Sequence, residues 1–207
     1  KAVSKKGSVV EFTAQNEQTL TRWILGILKT EGKMITSGAM KQFLEKTGTD
    51  MERIRQELEK LICYCMEKES ITEKDVAVIC SEQTENKIFD MINAMAEKKQ
   101  KKAMELYYDL LALKEPPMRI LYLITRQFNL LMQVKELSEE GYSAKTISER
   151  LKMAGFIVRN CLRQAEYFSL KTLKEALQDC VRMEEAVKTG RMNDVMSVEL
   201  LLVKYSS

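Results

Sequence analysis

Apolar residues recur at three- and four-residue spacing along almost the whole chain, which is the pattern of amphipathic helices. The first apolar stripe follows Asn16, a residue type that caps the starts of helices. A second stripe stops at Gly48, a third lies within residues 51–65, and a short fourth follows Thr72. These four predicted helices indicate a small helical bundle in the first part of the chain.

Further helices are predicted beyond the polar stretch 81–86. The segment from Pro116 to about Ser138 is apolar on several sides, which indicates a central helix with neighbours on most of its faces. Ser143 and Ser169 are placed to cap two later helices. The last helix is expected over residues 194–205, and its inward face is predicted to contain Val195, Val198, Leu201 and Leu202.

The stretch 58–76 is interpreted as a corner between two helices. Thr72 is followed three residues later by Asp75, the spacing of a capping box, in which side chains satisfy the first free N–H groups of a helix. Only residues 8–12, with the sequence SVVEF, suggest a strand. The predicted fold class is therefore all-α.

Composition is that of a soluble globular protein. Hydrophobic residues are 45% and charged residues 30% of the 207 residues, and 8 glycines with 2 prolines leave few helix breakers. The net charge of +3 is too small to indicate a nucleic-acid-binding domain by itself. There is no apolar run of about 18 residues, so no membrane span is expected.

The sequence contains no histidine, which removes the usual general base near neutral pH, the commonest zinc ligand and the Ser-His and Cys-His nucleophile pairs. No catalytic residue, cofactor or metal is therefore expected. The cysteines are scattered and odd in number, and they are interpreted as reduced core residues of a cytoplasmic protein. They are Cys63, Cys65, Cys80, Cys161 and Cys180.

Several stretches, in this order, resemble the bacterial DNA polymerase III delta subunit of the sliding-clamp loader. The resemblance extends over residues 8–205, and its most specific parts are Arg126-Gln127-Phe128 and Lys188-Thr189-Gly190. The matching stretches are TLTRWI (19–24), ELEKLICY (57–64), ITEKDV (71–76), KIFDMINAM (87–95), KAMELYYDLL (102–111), ILYLITRQFNLLMQVKEL (120–137) and VKTG (187–190).

The resemblance implies two helical domains. Residues 1–15 are interpreted as a linker or the end of an upstream domain, because the chain begins with Lys rather than Met. Residues 16–83 would be a small lid of the AAA+ type, and residues 84–207 would be the collar domain, through which loader subunits oligomerise. An AAA+-like core that binds the clamp would lie upstream of this chain.

The resemblance also implies a function in DNA replication. The chain would be a non-catalytic, structural part of the loader ring that places the clamp on primed DNA. Its partners would be the gamma/tau ATPase subunits and delta-prime, with the clamp bound only through the missing upstream domain and DNA bound through the assembled complex. No membrane contact is implied.

Four residues of the central helix are predicted to form the collar interface: Arg126, Gln127, Phe128 and Leu131. For Arg126 the alternative is a side chain that extends to solvent from the surface of one subunit. Phe128 fits a core position better than an interface.

Two basic groups are candidates for DNA contact. Lys188 and Arg191 flank a glycine turn, and lysines cluster at 98–102, where they suit either a phosphate backbone or a solvated first turn. Reversal of these charges and measurement of the salt dependence of DNA binding would test both groups.

The alternative function is that of an unrelated helical adaptor or regulator that binds one protein partner through a groove. An enzyme is disfavoured, because the carboxylates have no nucleophile or metal partner and are interpreted as solvated. They include Glu57, Glu59, Glu166, Glu184 and Glu185.

Overall fold

The computed structural model describes residue 7, residues 15–80 and residues 84–207, and these form eleven helices and two short strands. In the first part of the chain lie α1 (Glu17–Thr30), β1 (Met34–Ile35), α2 (Ser37–Thr47), α3 (Met51–Tyr64), β2 (Ser70–Ile71) and α4 (Glu73–Ile79). They are followed by α5 (Thr84–Ala96), α6 (Gln100–Ala112), α7 (Pro117–Glu139), α8 (Ala144–Leu151), α9 (Gly155–Ala165), α10 (Leu170–Lys188) and α11 (Asp194–Ser206). The all-α prediction is confirmed.

The predicted helix starts are confirmed where capping residues indicated them. The side chains of Asn16, Ser143 and Ser169 each accept a hydrogen bond from the backbone N–H three residues later, which satisfies a group that the helix leaves unpaired. At the other end of α2, Gly48 has a φ of 74°, a left-handed conformation that glycine adopts without steric cost.

The two strands β1 and β2 were not predicted. They pair in parallel, with Met34 opposite Ser70 and Ile35 opposite Ile71. Strands of two residues are too short to show an alternating pattern, which explains why the sequence did not indicate them. The predicted strand at residues 8–12 and most of the predicted linker 1–15 lie outside the described residues.

The described residues separate into two compact units, with the division after Cys80. We call the part before the division unit 1 and the part after it unit 2. The division falls close to the polar stretch 81–86. That unit 1 is a lid and unit 2 a collar stays a prediction.

Unit 1 has one apolar core, formed by α1 to α4 together with the buried side chain of Ile71 in β2. Lysine side chains satisfy the carbonyl groups at the ends of two of its helices. The ammonium group of Lys33 donates to the carbonyls of Cys65, Met66 and Lys68 at 2.7–2.9 Å, after the end of α3. That of Lys46 donates to the Cys80 carbonyl at 3.0 Å, after α4.

The predicted corner at 58–76 is confirmed. Thr72 and Asp75 form a capping box at the start of α4, and Asp75 also accepts a hydrogen bond of 2.5 Å from Lys68. Cys65 is buried as expected, whereas Cys63 is exposed. Glu57 differs from the prediction too, because its side chain is buried and forms an ion pair of 2.7 Å with Lys60.

Unit 2 is built around α7, which packs against α5, α8, α9, α10 and α11. The prediction of a central helix is therefore confirmed. The buried residues of α7 lie on several of its faces. They include Ile120, Ile124, Phe128, Leu131 and Val134. The Phe128 ring meets Phe168 edge-on and Tyr205 at a tilt, each with 6.0 Å between ring centroids.

Candidate subunit interface

The C-terminal helix α11 is apolar on both its inner and its outer face. Val198, Leu201 and Leu202 are fully buried in the core of unit 2. On the opposite face, three apolar side chains remain exposed at spacings of four and three residues, which places them in one row. This row, which we call the α11 stripe, consists of Met196 (51% exposed), Leu200 (44%) and Val203 (38%).

Two tyrosines of α6 hold α11 in position. The hydroxyl of Tyr107, whose ring is buried, donates to the backbone carbonyl of Val195 at 3.2 Å. The hydroxyl of Tyr108 donates to the carboxylate of Glu199 at 2.8 Å. Since Glu199 is one helical turn from Met196 and from Val203, the half-exposed ring of Tyr108 adjoins the α11 stripe.

A buried carboxylate holds the other end of α11. Asp179 of α10 accepts hydrogen bonds from Tyr205 at 2.6 Å and Lys204 at 2.5 Å, and it forms an ion pair of 3.3 Å with Arg182. Burial favours the neutral carboxyl group, but the hydrogen bonds from Lys204 and Tyr205 and the nearby positive charges outweigh it. They hold the pKa of Asp179 below its ordinary value.

The α11 stripe therefore lies on a helix that is fixed at both ends by hydrogen bonds. Single exposed apolar residues are normal on protein surfaces, but a contiguous row beside an exposed aromatic ring is typical of a protein–protein contact. A helix that is already held in one position loses little further conformational entropy when a partner binds. This arrangement suits the centre of a subunit interface.

The four residues predicted for the interface occupy different environments. Arg126 is exposed on α7, and Gln127 is half-buried. Phe128 and Leu131 are 0% exposed and belong to the core of unit 2, so the interface prediction is corrected for these two. Their side chains have no surface to offer another subunit, because α7 is surrounded by the helices of its own unit. The interface role of Arg126 stays a prediction.

Gln127 belongs to a polar network inside unit 2. Its amide donates to the side-chain oxygen of Gln164 on α9 at 2.8 Å. The Gln164 amide, which is buried, donates in turn to the Phe89 carbonyl at 2.9 Å and to the Asn93 side chain at 2.7 Å, both on α5. Gln127 therefore joins three helices of one unit, a role that the sequence did not indicate.

The predicted DNA-contact residues are paired with carboxylates. Lys188 forms an ion pair of 2.5 Å with Glu184, and Arg191 forms one of 2.7 Å with Glu185. In the lysine cluster, Lys99 pairs similarly with Glu97 at 2.6 Å. These pairs are exposed, so they are weak and leave the cations accessible.

Sequence reasoning missed the α11 stripe and Tyr108. The signal was present, because residues 195–203 contain apolar residues at nearly every position, and such a helix has neighbours on more than one face. The sequence pattern alone cannot tell which of those apolar residues face the core and which face outward.

Two other kinds of site are absent from the described residues. They contain no group of three or more acidic, cysteine or histidine side chains that could hold a metal ion. Nor is any helix in these ranges long and apolar enough to cross a membrane.

Comparison with known proteins connects these observations to one family. The family model described as DNA polymerase III delta subunit, C-terminal domain, matches residues 85–205. The DNA polymerase III subunit delta of Bacillus subtilis (strain 168) is 31% identical over 204 residues, which are 99% of this chain and 59% of that protein. The probable DNA polymerase III subunit delta of Aquifex aeolicus (strain VF5) is 25% identical over 142 residues, or 68% of this chain and 41% of that one.

A solved structure, that of the Bacillus subtilis DNA clamp loader delta protein, resembles the chain with a TM-score of 0.82 and 30% sequence identity. The match covers 99% of this chain and 60% of that one. The chain thus spans about three fifths of the length of its Bacillus relatives.

Proposed function

The chain belongs to the DNA polymerase III delta subunit family, and we propose that it acts in DNA replication as part of a bacterial sliding-clamp loader. Unit 2 would be the collar domain that joins the chain to other loader subunits. The observation that carries this proposal is the match of the family's C-terminal domain to residues 85–205, which is nearly all of unit 2.

The α11 stripe supplies the physical basis for assembly. A ring of subunits needs an exposed surface that remains apolar until a neighbour covers it, and permanent interfaces of this kind resemble the core of a domain. Met196, Leu200 and Val203, with the adjoining ring of Tyr108, fit that requirement. Exposed Arg126 would contribute a polar contact at a second position of the collar.

Unit 1 is proposed to be the lid of an AAA+-type module. Unit 1 has four helices around one small core, which is the architecture that the resemblance implies for such a lid. The clamp-binding element would lie in the part of the relatives' length that this chain does not span.

The role proposed for this chain is structural, in the cytoplasm. The sequence has no histidine and no G-x-x-x-x-G-K-[ST] loop for a nucleotide, so the chemistry of ATP hydrolysis would belong to other subunits. Those subunits would be the gamma/tau ATPase and delta-prime, and primed DNA would be held by the assembly as a whole.

The experiment is an assembly measurement. The chain is mixed with the ATPase and delta-prime subunits of a clamp loader from the same organism, and the mass of the complex is measured in solution by light scattering. A stable complex that contains all three components supports the proposal. If the chain stays unassociated while the other two assemble, it is an adaptor for a different partner.

A further inference from the structure

Helices α8 and α9 form a helix–turn–helix. They pack against each other and are joined by the three residues 152–154. Lys152 has a φ of 52°, the left-handed conformation that reverses the chain direction in a tight turn. Ile147 on α8 and Val158 on α9 are fully buried and attach both helices to the core of unit 2. A short turn between two packed helices is the arrangement with which many proteins hold a helix in the major groove of DNA.

The charge of this segment differs from that of the rest of the chain. Residues 144–165 contain five lysines and arginines and one glutamate, which gives a net charge of +4, whereas the whole chain has +3. The basic residues are all exposed, namely Lys145, Arg150, Lys152, Arg159 and Arg163. A concentrated basic surface is the electrostatic footprint of a nucleic-acid-binding protein.

Ion pairs within the described residues do not account for three of these charges, those of Lys145, Lys152 and Arg163. Within the described ranges, no ion pair links Lys145, Lys152 or Arg163 to a carboxylate, and the Arg163 guanidinium donates instead to the neutral side chain of Asn160. Arg159 and Arg163 are one turn apart on α9, so both guanidinium groups lie on the same side of the helix. Lys145, Lys152 and Arg163, which have no carboxylate partner, favour an anionic partner.

We propose that the helix–turn–helix α8–α9 binds the phosphate backbone of duplex DNA. Arg159 and Arg163 on the outer face of α9 would contact phosphates at the edge of the major groove, and Lys145 at the start of α8 would contact the adjacent backbone. Contacts to phosphates carry no information about the bases, so binding is expected to be independent of base sequence.

This inference deepens the proposed function and rests on it only because a clamp loader works beside duplex DNA. A failure of either proposal is visible separately, since assembly is measured by mass without DNA and DNA binding is measured with this chain alone.

The test measures the affinity of the chain for a fluorescently labelled duplex of about 20 base pairs by anisotropy, at several salt concentrations. The test variant is K145Q/R163Q. The control is K114Q/K171Q, which removes the same charge from two lysines that are also exposed but lie outside the helix–turn–helix and outside the lysine cluster 98–102. Circular dichroism confirms that both variants are folded.

The plot of log affinity against log salt should lose about 0.9 of its slope for each phosphate contact removed, hence about 1.8 for the test variant. The control should keep the wild-type slope, and two duplexes of unrelated sequence should bind equally. Equal loss in both variants, or no binding by the wild type, overturns the proposal. So does tighter binding to single-stranded oligo(dT) or to polyglutamate than to the duplex, results that identify a single strand or an acidic protein as the partner.

Discussion

The hydroxyl of Tyr108 on α6 donates a hydrogen bond to the carboxylate of Glu199 on α11, with 2.8 Å between the oxygens. This contact joins residues 91 positions apart and places an aromatic ring beside the exposed apolar row of α11. It explains how a helix with apolar side chains on two faces keeps one orientation. The inner face is buried in the chain itself, and the outer face remains exposed.

Leu200→Glu should prevent assembly without unfolding the chain. Leu200 lies in the middle of the α11 stripe, and a carboxylate buried without a partner in an interface costs several kcal/mol. In the free chain the side chain is partly exposed, so we expect a change of only about 0.5 kcal/mol in the free energy of unfolding.

The measurement is the mass of the complex with the ATPase and delta-prime subunits, compared with the thermal midpoint of the free variant. Tyr167→Glu is the matched control, since Tyr167 is 60% exposed and follows the end of α9. Full assembly of the Leu200 variant would exclude the stripe from the interface.

Asp179→Asn should destabilise unit 2. The neutral amide loses the charge-assisted hydrogen bonds from Lys204 and Tyr205, which attach α11 to α10. Bonds to charged groups contribute about 1.5–3 kcal/mol, and we expect a loss in that range in urea unfolding followed by circular dichroism. Arg182→Gln removes an exposed partner of the same carboxylate and should cost less than about 1 kcal/mol. An equal effect of the two substitutions would show that the hydrogen bonds from Lys204 and Tyr205 to Asp179 do not attach α11 more strongly than the exposed ion pair with Arg182.

Gln164→Leu should lower the free energy of unfolding by about 1–3 kcal/mol. The substitution leaves the side chains of Asn93 and Gln127 without their buried partner. Gln127→Leu should cost less, because Gln127 is only half-buried and its loss leaves the two bonds from Gln164 to α5 in place. Urea denaturation of both variants tests the order, and a larger loss in the Gln127 variant would reverse our interpretation of the network.

The sequence predicted the elements of this fold well because local signals determine them. Capping residues such as Asn16 and Ser169 act within one helical turn, and an apolar stripe identifies a helix whatever it packs against. The corner at Thr72 was predicted from a signal of the same kind, because Thr72 and Asp75 of its capping box are only three residues apart.

The candidate interface was predicted poorly because it depends on contacts that are distant in sequence. Phe128 and Leu131 were assigned to the interface, and only the packing of five helices around α7 shows that they are enclosed. The partner of Gln127 is 37 residues away, and no periodicity encodes it. Which face of α11 points outward was equally undetermined, because both faces have the same apolar character.

Asp75 should make the stability of unit 1 depend on acid pH. Hydrogen bonds from Lys68 and Thr72 lower the pKa of its carboxyl group from 3.8 to about 2. A group whose pKa is lower in the folded state stabilises that state above its unfolded pKa, and the contribution disappears as the pH falls through the folded pKa. The contribution of Asp75 to the free energy of unfolding should therefore be constant above about pH 5 and should decrease between about pH 4 and pH 2.

Asp75→Asn cannot titrate, so it should cost about 1–2 kcal/mol at neutral pH and show a smaller decrease in acid. Trp23, the single tryptophan of the chain, lies in α1 and packs against the core of unit 1, so its fluorescence during urea unfolding reports on this unit. Glu67→Gln removes an exposed carboxylate from the same unit and should keep the wild-type pH dependence. If the Asp75 variant lost as much stability in acid as the wild type, another group would be responsible for it.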